Sequence, residues 1–275
     1  MWDTALRIFA GLASIGLAIG LGYYVRRIYP SWSAFGWGAL CFVLSQVFHI
    51  PFNSLVLNNV FDMPSLVESR GFGSLVVSLA LGLSAGIFEE TARWIFYRYK
   101  FSGVKSYELA LMFGAGHGGC EAIISGFLAV AALIGMSYLR AHPEVINDMP
   151  QDQQQVVEKE LADYWATPTL TVLMTPVERV FAIAFHLCAS VLVWQGFVQN
   201  NQLRFWALAV AAHTALDSVA VFLLLTSGAY SVETCLLLTA FPMSLYVLWY
   251  YRPRQQSANE EGDSLILAYA QVRTT

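Results

Sequence analysis

The run YELALMFGAGHGGCEAIISGFLAVAALIGMSYL occupies residues 107–139. A helix needs about 20 mostly apolar residues to cross the hydrocarbon core of a bilayer. This run is longer than that, and only Glu108, His117 and Glu121 interrupt it. It predicts a membrane-spanning helix with an imidazole and a carboxylate at the depth of lipid. Six further apolar runs lie roughly at 5–25, 33–50, 73–97, 170–198, 204–225 and 231–251. In chain order the fourth and fifth exceed one crossing, so part of each is expected to tilt, break or lie along the interface.

Composition points the same way. Of the 275 residues, 57% are hydrophobic and 12% are charged; mean hydropathy is +0.54. A soluble domain of this size carries about a quarter charged residues to cover its surface. Such a balance excludes a soluble fold and a disordered chain, and a net charge of −4 with scattered Lys and Arg argues against a nucleic-acid partner. The expected fold is all-α: a polytopic bundle of about seven transmembrane helices in the cell membrane. Residues 1–251 would form a single transmembrane domain and 252–275 a tail. Cys41, Cys120, Cys188 and Cys235 all sit in apolar runs and form no Cys-x-x-Cys pair. They read as small apolar thiols rather than a disulfide framework or a Cys zinc site.

The first run has no basic start and no small-residue cleavage site, and Arg26 and Arg27 follow it, so it is expected to remain as a span. In a seven-span arrangement Arg26, Arg27, Arg98, Lys100, Lys105, Arg204, Arg252, Arg254 and Arg273 fall on one side. Arg7, Arg70, Arg140 and Lys159 fall on the other. The positive-inside rule then gives an outer N-terminus and a cytoplasmic C-terminus. Residues 141–168 are polar and acidic, and read as an extracytoplasmic loop with a surface helix near Gln153–Trp165, a plain connector or a lid over the substrate path.

Ionisable side chains in spans cost about 2.5–3.5 kcal/mol each at the helix centre. This chain places Glu89, Glu90, Arg93, His117, Glu121, Glu178, Arg179, His186, His213 and Asp217 there. They are expected to face one another inside the bundle, where such clusters mark catalysis, transport or proton relay. Glu89 and Arg93 are four apart and can pair on one helix face. With Glu90 adjacent, two carboxylates cannot both ionise cheaply, so a proton, a metal or Arg93 must hold the second charge. His117 with Glu121 and His213 with Asp217 are further i, i+4 pairs, suited to metal binding or to a carboxylate orienting an imidazole. The alternatives are a structural ion pair and hydrogen-bonded core histidines. Four glycines flank His117 and would let another backbone, or a substrate strand, approach it.

Thr175-Pro176-Val177-Glu178 reads as a capping box, which would leave Glu178 at an outer helix end and Arg179 snorkelling. His186 lies seven residues after Arg179, on nearly the same face. Counting 1.5 Å per residue from the basic flanks puts Glu89, His117 and His213 in one layer about 13–18 Å deep, in the cytoplasmic half. Glu121 and Asp217 come out one turn deeper, and His186 deeper still, closing the site from below. His49, just before Pro51, reads as interfacial, and His142 as part of the loop; neither is placed in the site.

These residues resemble the CAAX-protease and bacteriocin-processing superfamily of membrane-embedded proteases. The likeness rests on Glu89, Glu90 and Arg93, on Phe113 with His117, and on His213 with Asp217. Arg93 follows Glu90 by three residues rather than four, and Asp217 stands where Asn is common. Within that superfamily the chain looks most like the YhfC family of intramembrane metalloproteases, through Gly-His-Gly-Gly-x-Glu at 116–121 and through Glu178, Arg179 and His186. The likeness covers roughly residues 75–220.

The expected activity is a membrane-embedded endopeptidase acting on membrane-associated or transmembrane peptides that enter from the cytoplasmic half. Glu89 or Glu90 would activate water, with Arg93 keeping one of them charged. His117 and His213 would stabilise the oxyanion or hold a divalent metal. His117, Glu121, His186 and His213 are the candidate ligands, and zinc fits them. Asp217 and Glu121 would orient imidazoles or join the ligands. The rival expectations are a proton- or ion-coupled transporter using the same cluster, against which no repeat between the halves is found, and a scaffold with a structural metal.

Overall fold

The computed structural model describes residues 2–29, 32–60, 62–68, 71–103 and 106–253, and every regular element among them is helical. Seven helices are long and apolar enough to cross a membrane: Trp2–Arg26, Trp32–Leu57, Phe72–Tyr99, Tyr107–Ala141, Thr169–Val198, Gln202–Ser227 and Ala229–Tyr250. The chain is a multi-pass membrane protein, and its spans lie within a few residues of the apolar runs except at the end of the second. Arg70, Lys105, Arg254 and Arg273, and all of the expected tail beyond residue 253, lie outside the described residues.

Prolines decide where the spans bend. A proline ring clashes with the carbonyl four residues earlier. Pro176 therefore faces Val172, and the fifth span breaks at Leu173 into Thr169–Val172 and Met174–Val198. Pro242 faces Leu238, and the seventh span breaks at Thr239 (φ −123°, ψ −71°), a break that the apolar pattern does not announce. Pro51 acts differently. The second helix runs through it and continues as a wider π turn, Asn53–Leu57, which tolerates the lost hydrogen bond. His49 consequently lies inside the span and not at its end. The fourth span stays continuous for 35 residues, about 52 Å, and so runs past the hydrocarbon layer.

The expected capping box does not form. The helix starts at Met174, behind Leu173, with no side-chain cap. Between the fourth and fifth spans, Pro143–Asn147 and Gln151–Ala166 are helices, in agreement with the expected surface helix. The second of them is tied to the first span by Arg7, which pairs with Asp3 (2.8 Å), donates to the Thr167 carbonyl (3.0 Å) and lies over the Tyr164 ring.

The glycines around His117 serve helix packing. A Cβ at Gly116 would collide with the Phe35 carbonyl of the second span, and at Gly114 it would come within 2.8 Å of the His186 carbonyl of the fifth. Gly116→Ala is therefore expected to cost about 1–3 kcal/mol through overpacking. Gly135→Ala, in the same helix with nothing within 4 Å, should be neutral. Thermal unfolding of the two variants in detergent checks this, and equal midpoints would contradict the close contact.

Candidate functional site

Four helices meet in layers one turn apart. The third and fifth spans run toward the basic end of the bundle, and the fourth and sixth run away from it. Glu121 and Asp217 form a layer, which Arg179 reaches from a turn further out, followed by Glu89, Glu90, His117, His186 and His213. Arg93 and Ser190 come next. Glu90, Arg93 and His117 are fully buried. An isolated charge at such a place is costly, so each is held by specific partners.

Arg93 pairs with Glu90 rather than with Glu89. Its Nε donates to Glu90 Oε2 (2.9 Å) and its Nη2 to Oε1 (3.3 Å), while Nη1 donates to Ser190 Oγ (2.5 Å). Both glutamates are within helical reach of Arg93, but Glu89 is turned toward the second and fourth spans. There it accepts from Gln46 Nε2 (2.9 Å) and His117 Nε2 (3.1 Å). His213 donates through Nδ1 to Glu90 Oε1 (2.8 Å), which leaves Nε2 3.5 Å from Asp217 Oδ2 and 3.9 Å from Glu89 Oε2. His186 donates through Nε2 to Glu121 Oε2 (2.7 Å), and its Nδ1 accepts from Arg93 Nη2 (3.2 Å).

Two placements differ from the helical counting. His186 is not deeper than His117, because the two rings lie against each other with centroids 4.7 Å apart. The helices end at different heights, so distances counted from their flanks do not share one origin. Arg179 does not snorkel. It donates to Glu121 Oε1 and to Glu178 Oε1, both at 2.6 Å, and joins the cluster from the side of the 141–168 segment.

Sequence reasoning missed Gln46 and His49. Gln46 holds Glu89, and His49 donates through Nδ1 to Gln46 Oε1 (3.2 Å) while accepting at Nε2 from Asn53 (2.9 Å). The signal was present, since Gln46-x-x-His49 puts two polar groups on one face of an apolar run. Ser190 had none, because a serine in a span is ordinary.

The cluster borders a chamber of about 80 Å³, lined by Glu89, Glu121, His186, His213 and Asp217 together with Phe181, Phe185 and Leu216. That is room for two or three waters at about 30 Å³ each.

The residues fit a divalent metal on three observations. One donor atom each from Glu89, His117 and His186 lies within 4.8 Å of the other two. Ligand atoms around zinc sit about 3.4 Å apart, so side-chain adjustments of roughly 1 Å suffice, provided that Arg93 Nη2 withdraws from His186 Nδ1, the nitrogen left to ligate while Nε2 donates to Glu121. His117 Nδ1 is buried without a hydrogen-bond partner, a cost of about 1–3 kcal/mol when nothing uses it. Finally, five carboxylates, Glu89, Glu90, Glu121, Glu178 and Asp217, share the cluster with two guanidiniums, Arg93 and Arg179. With the imidazoles neutral, three negative charges remain, which a dication would offset in large part.

An apolar seven-helix bundle that encloses imidazoles, carboxylates and a small polar-lined chamber is an integral membrane protein with a buried candidate site. The chain belongs to the YhfC intramembrane metalloprotease family, which matches residues 13–238. A similar curated protein, "Uncharacterized membrane protein YhfC" of Bacillus subtilis (strain 168), is 28% identical over 224 residues, which cover 77% of this chain and 81% of that protein. No solved structure matches the chain.

Proposed function

We propose that this protein is a membrane-embedded endopeptidase for membrane-associated or transmembrane peptides, with Glu89, His117 and His186 holding a divalent metal. Zinc suits that donor set. The reading rests on the meeting of the three donor atoms within 4.8 Å, beside an imidazole, His213, that stays outside the triangle. When bound, the ion supplies Lewis acidity, polarising a scissile carbonyl and making water nucleophilic near neutral pH.

The chain's own groups do the proton work. Glu90, fixed by Arg93, accepts the Nδ1 proton of His213 and so presents Nε2 to the chamber. Nε2 takes a proton from water as the oxygen adds to the carbonyl carbon. It returns that proton to the amide nitrogen as the C–N bond breaks. Asp217 stabilises the imidazolium between these steps. Glu121 fixes the His186 ring through its Nε2 proton, and Gln46 fixes Glu89; both are positioning residues. The walls of Phe181, Phe185 and Leu216 keep bulk water out, which strengthens each of these interactions.

Metal analysis of purified protein tests the reading. Wild type should carry about one zinc per chain, and His117→Ala should lose both the metal and cleavage of a transmembrane reporter. Full cleavage by metal-stripped protein would overturn the metal and point to a glutamate-type mechanism. Tight metal without turnover would point to a structural site.

A further inference from the structure

Along the bundle axis the cluster has one open end and one closed end; sideways, its chamber shares Phe185, Leu216 and Leu236 with an apolar cavity of about 480 Å³ between the fifth, sixth and seventh spans, a route suited to apolar side chains and not to water. The chamber at Glu89 shares Glu121, Glu178, Asp217 and Ala220 with a second cavity of about 440 Å³. That vestibule continues past His49, Asn53, Val221, Leu224 and Glu233 to Ala229, at the turn between the sixth and seventh spans. Asn53 follows His49 by one turn at the end of the second helix, and Glu178 opens the fifth. All of these lie toward the helix ends that border the 141–168 segment.

On the opposite side, one turn beyond Arg93 and one turn before His117, Tyr97 and Phe113 pack with tilted rings, centroids 5.1 Å apart. Phe101 and Phe197 pack on Tyr97 at 6.1 Å and 6.0 Å, and Phe96 packs on Phe113 at 5.9 Å. Phe113 is fully buried, as are Ala110 and Ala209 in the same layer. A close-packed aromatic layer leaves no room for water.

We propose that water, and the polar end of a substrate, reach the Glu89 cluster only through the vestibule at the end carrying residues 141–168, and that the aromatic layer seals the basic end. On the orientation favoured by the basic residues, that mouth is extracytoplasmic, the reverse of the entry side expected from depth alone. The substrate class is thereby narrowed to membrane peptides whose polar flank lies on the same side as the 141–168 segment. This narrowing rests on the peptidase reading, but access itself is measured without turnover, so an inactive protein leaves it standing or falling alone.

The test uses the full chain in proteoliposomes, with Cys41, Cys120, Cys188 and Cys235 replaced by Ala and one new cysteine at Val221→Cys or Ala209→Cys. A membrane-impermeant maleimide is added from one face, and protease clipping within 141–168 reports which face is exposed. Val221→Cys should react from the face on which 141–168 is clipped, about tenfold or more faster than Ala209→Cys, which reacts only on opening of the core. Reaction of Val221→Cys only from the other face, or of Ala209→Cys from the basic end, would overturn the proposal. Hydroxyl-radical footprinting of the native chain in nanodiscs gives a second reading that needs no variant. Oxidation of His49 and Leu224 with Tyr97 and Phe113 spared supports the proposal, and the opposite pattern ends it.

Discussion

Glu89→Gln should give a folded protein that neither retains zinc nor cleaves a transmembrane reporter. Cleavage should fall by roughly 10³-fold or more, the scale of losing a group that acts directly on the reacting atoms. The fold should survive because Glu89 is not the partner of Arg93; its partners are Gln46 and His117, and an amide of the same shape still accepts from Gln46. What disappears is the negative donor of the three-atom triangle. Loss of zinc together with an unchanged unfolding midpoint would separate this from misfolding. A well-folded Glu89→Gln protein that cleaves at the wild-type rate would remove the proposed centre.

Glu90→Ala should act in the other direction, on stability first. Arg93 and Glu90 are both fully buried, and removing the carboxylate strands a guanidinium that keeps only Ser190 and His186 as partners. Breaking a buried pair from one side costs about 3–5 kcal/mol, a large share of the stability of any fold. The paired replacement Glu90→Leu with Arg93→Met removes both charges and should recover much of that loss. It should not recover cleavage, because His213 loses the acceptor of its Nδ1 proton. Unfolding midpoints of the three proteins in nanodiscs, read beside their cleavage rates, check both halves. A Glu90→Ala midpoint equal to wild type would mean that the ion pair contributes nothing.

The contrast between the two glutamates bears on what can be read from a linear chain. Residues 89 and 90 are chemically identical and adjacent, and the i, i+4 spacing favours pairing Arg93 with Glu89. The bundle pairs it with Glu90, because Gln46 and His117, from the second and fourth spans, already claim Glu89. Likewise Arg179 looked like an interfacial snorkel until Glu121, 58 residues earlier, supplied its partner.

The seven spans, their near limits and the surface helix before the fifth follow from the sequence alone. Apolar length and helical periodicity are local properties, and lipid enforces them at every residue. That the ionisable groups converge was also legible, since none of them is tolerated in lipid singly. Which carboxylate meets which cation, and why His186 rather than His213 lies close to Glu89 and His117, were decided only by the packing. Each of these depends on the rotation, height and breaks of helices set against one another, and no stretch of one helix encodes the position of its neighbours.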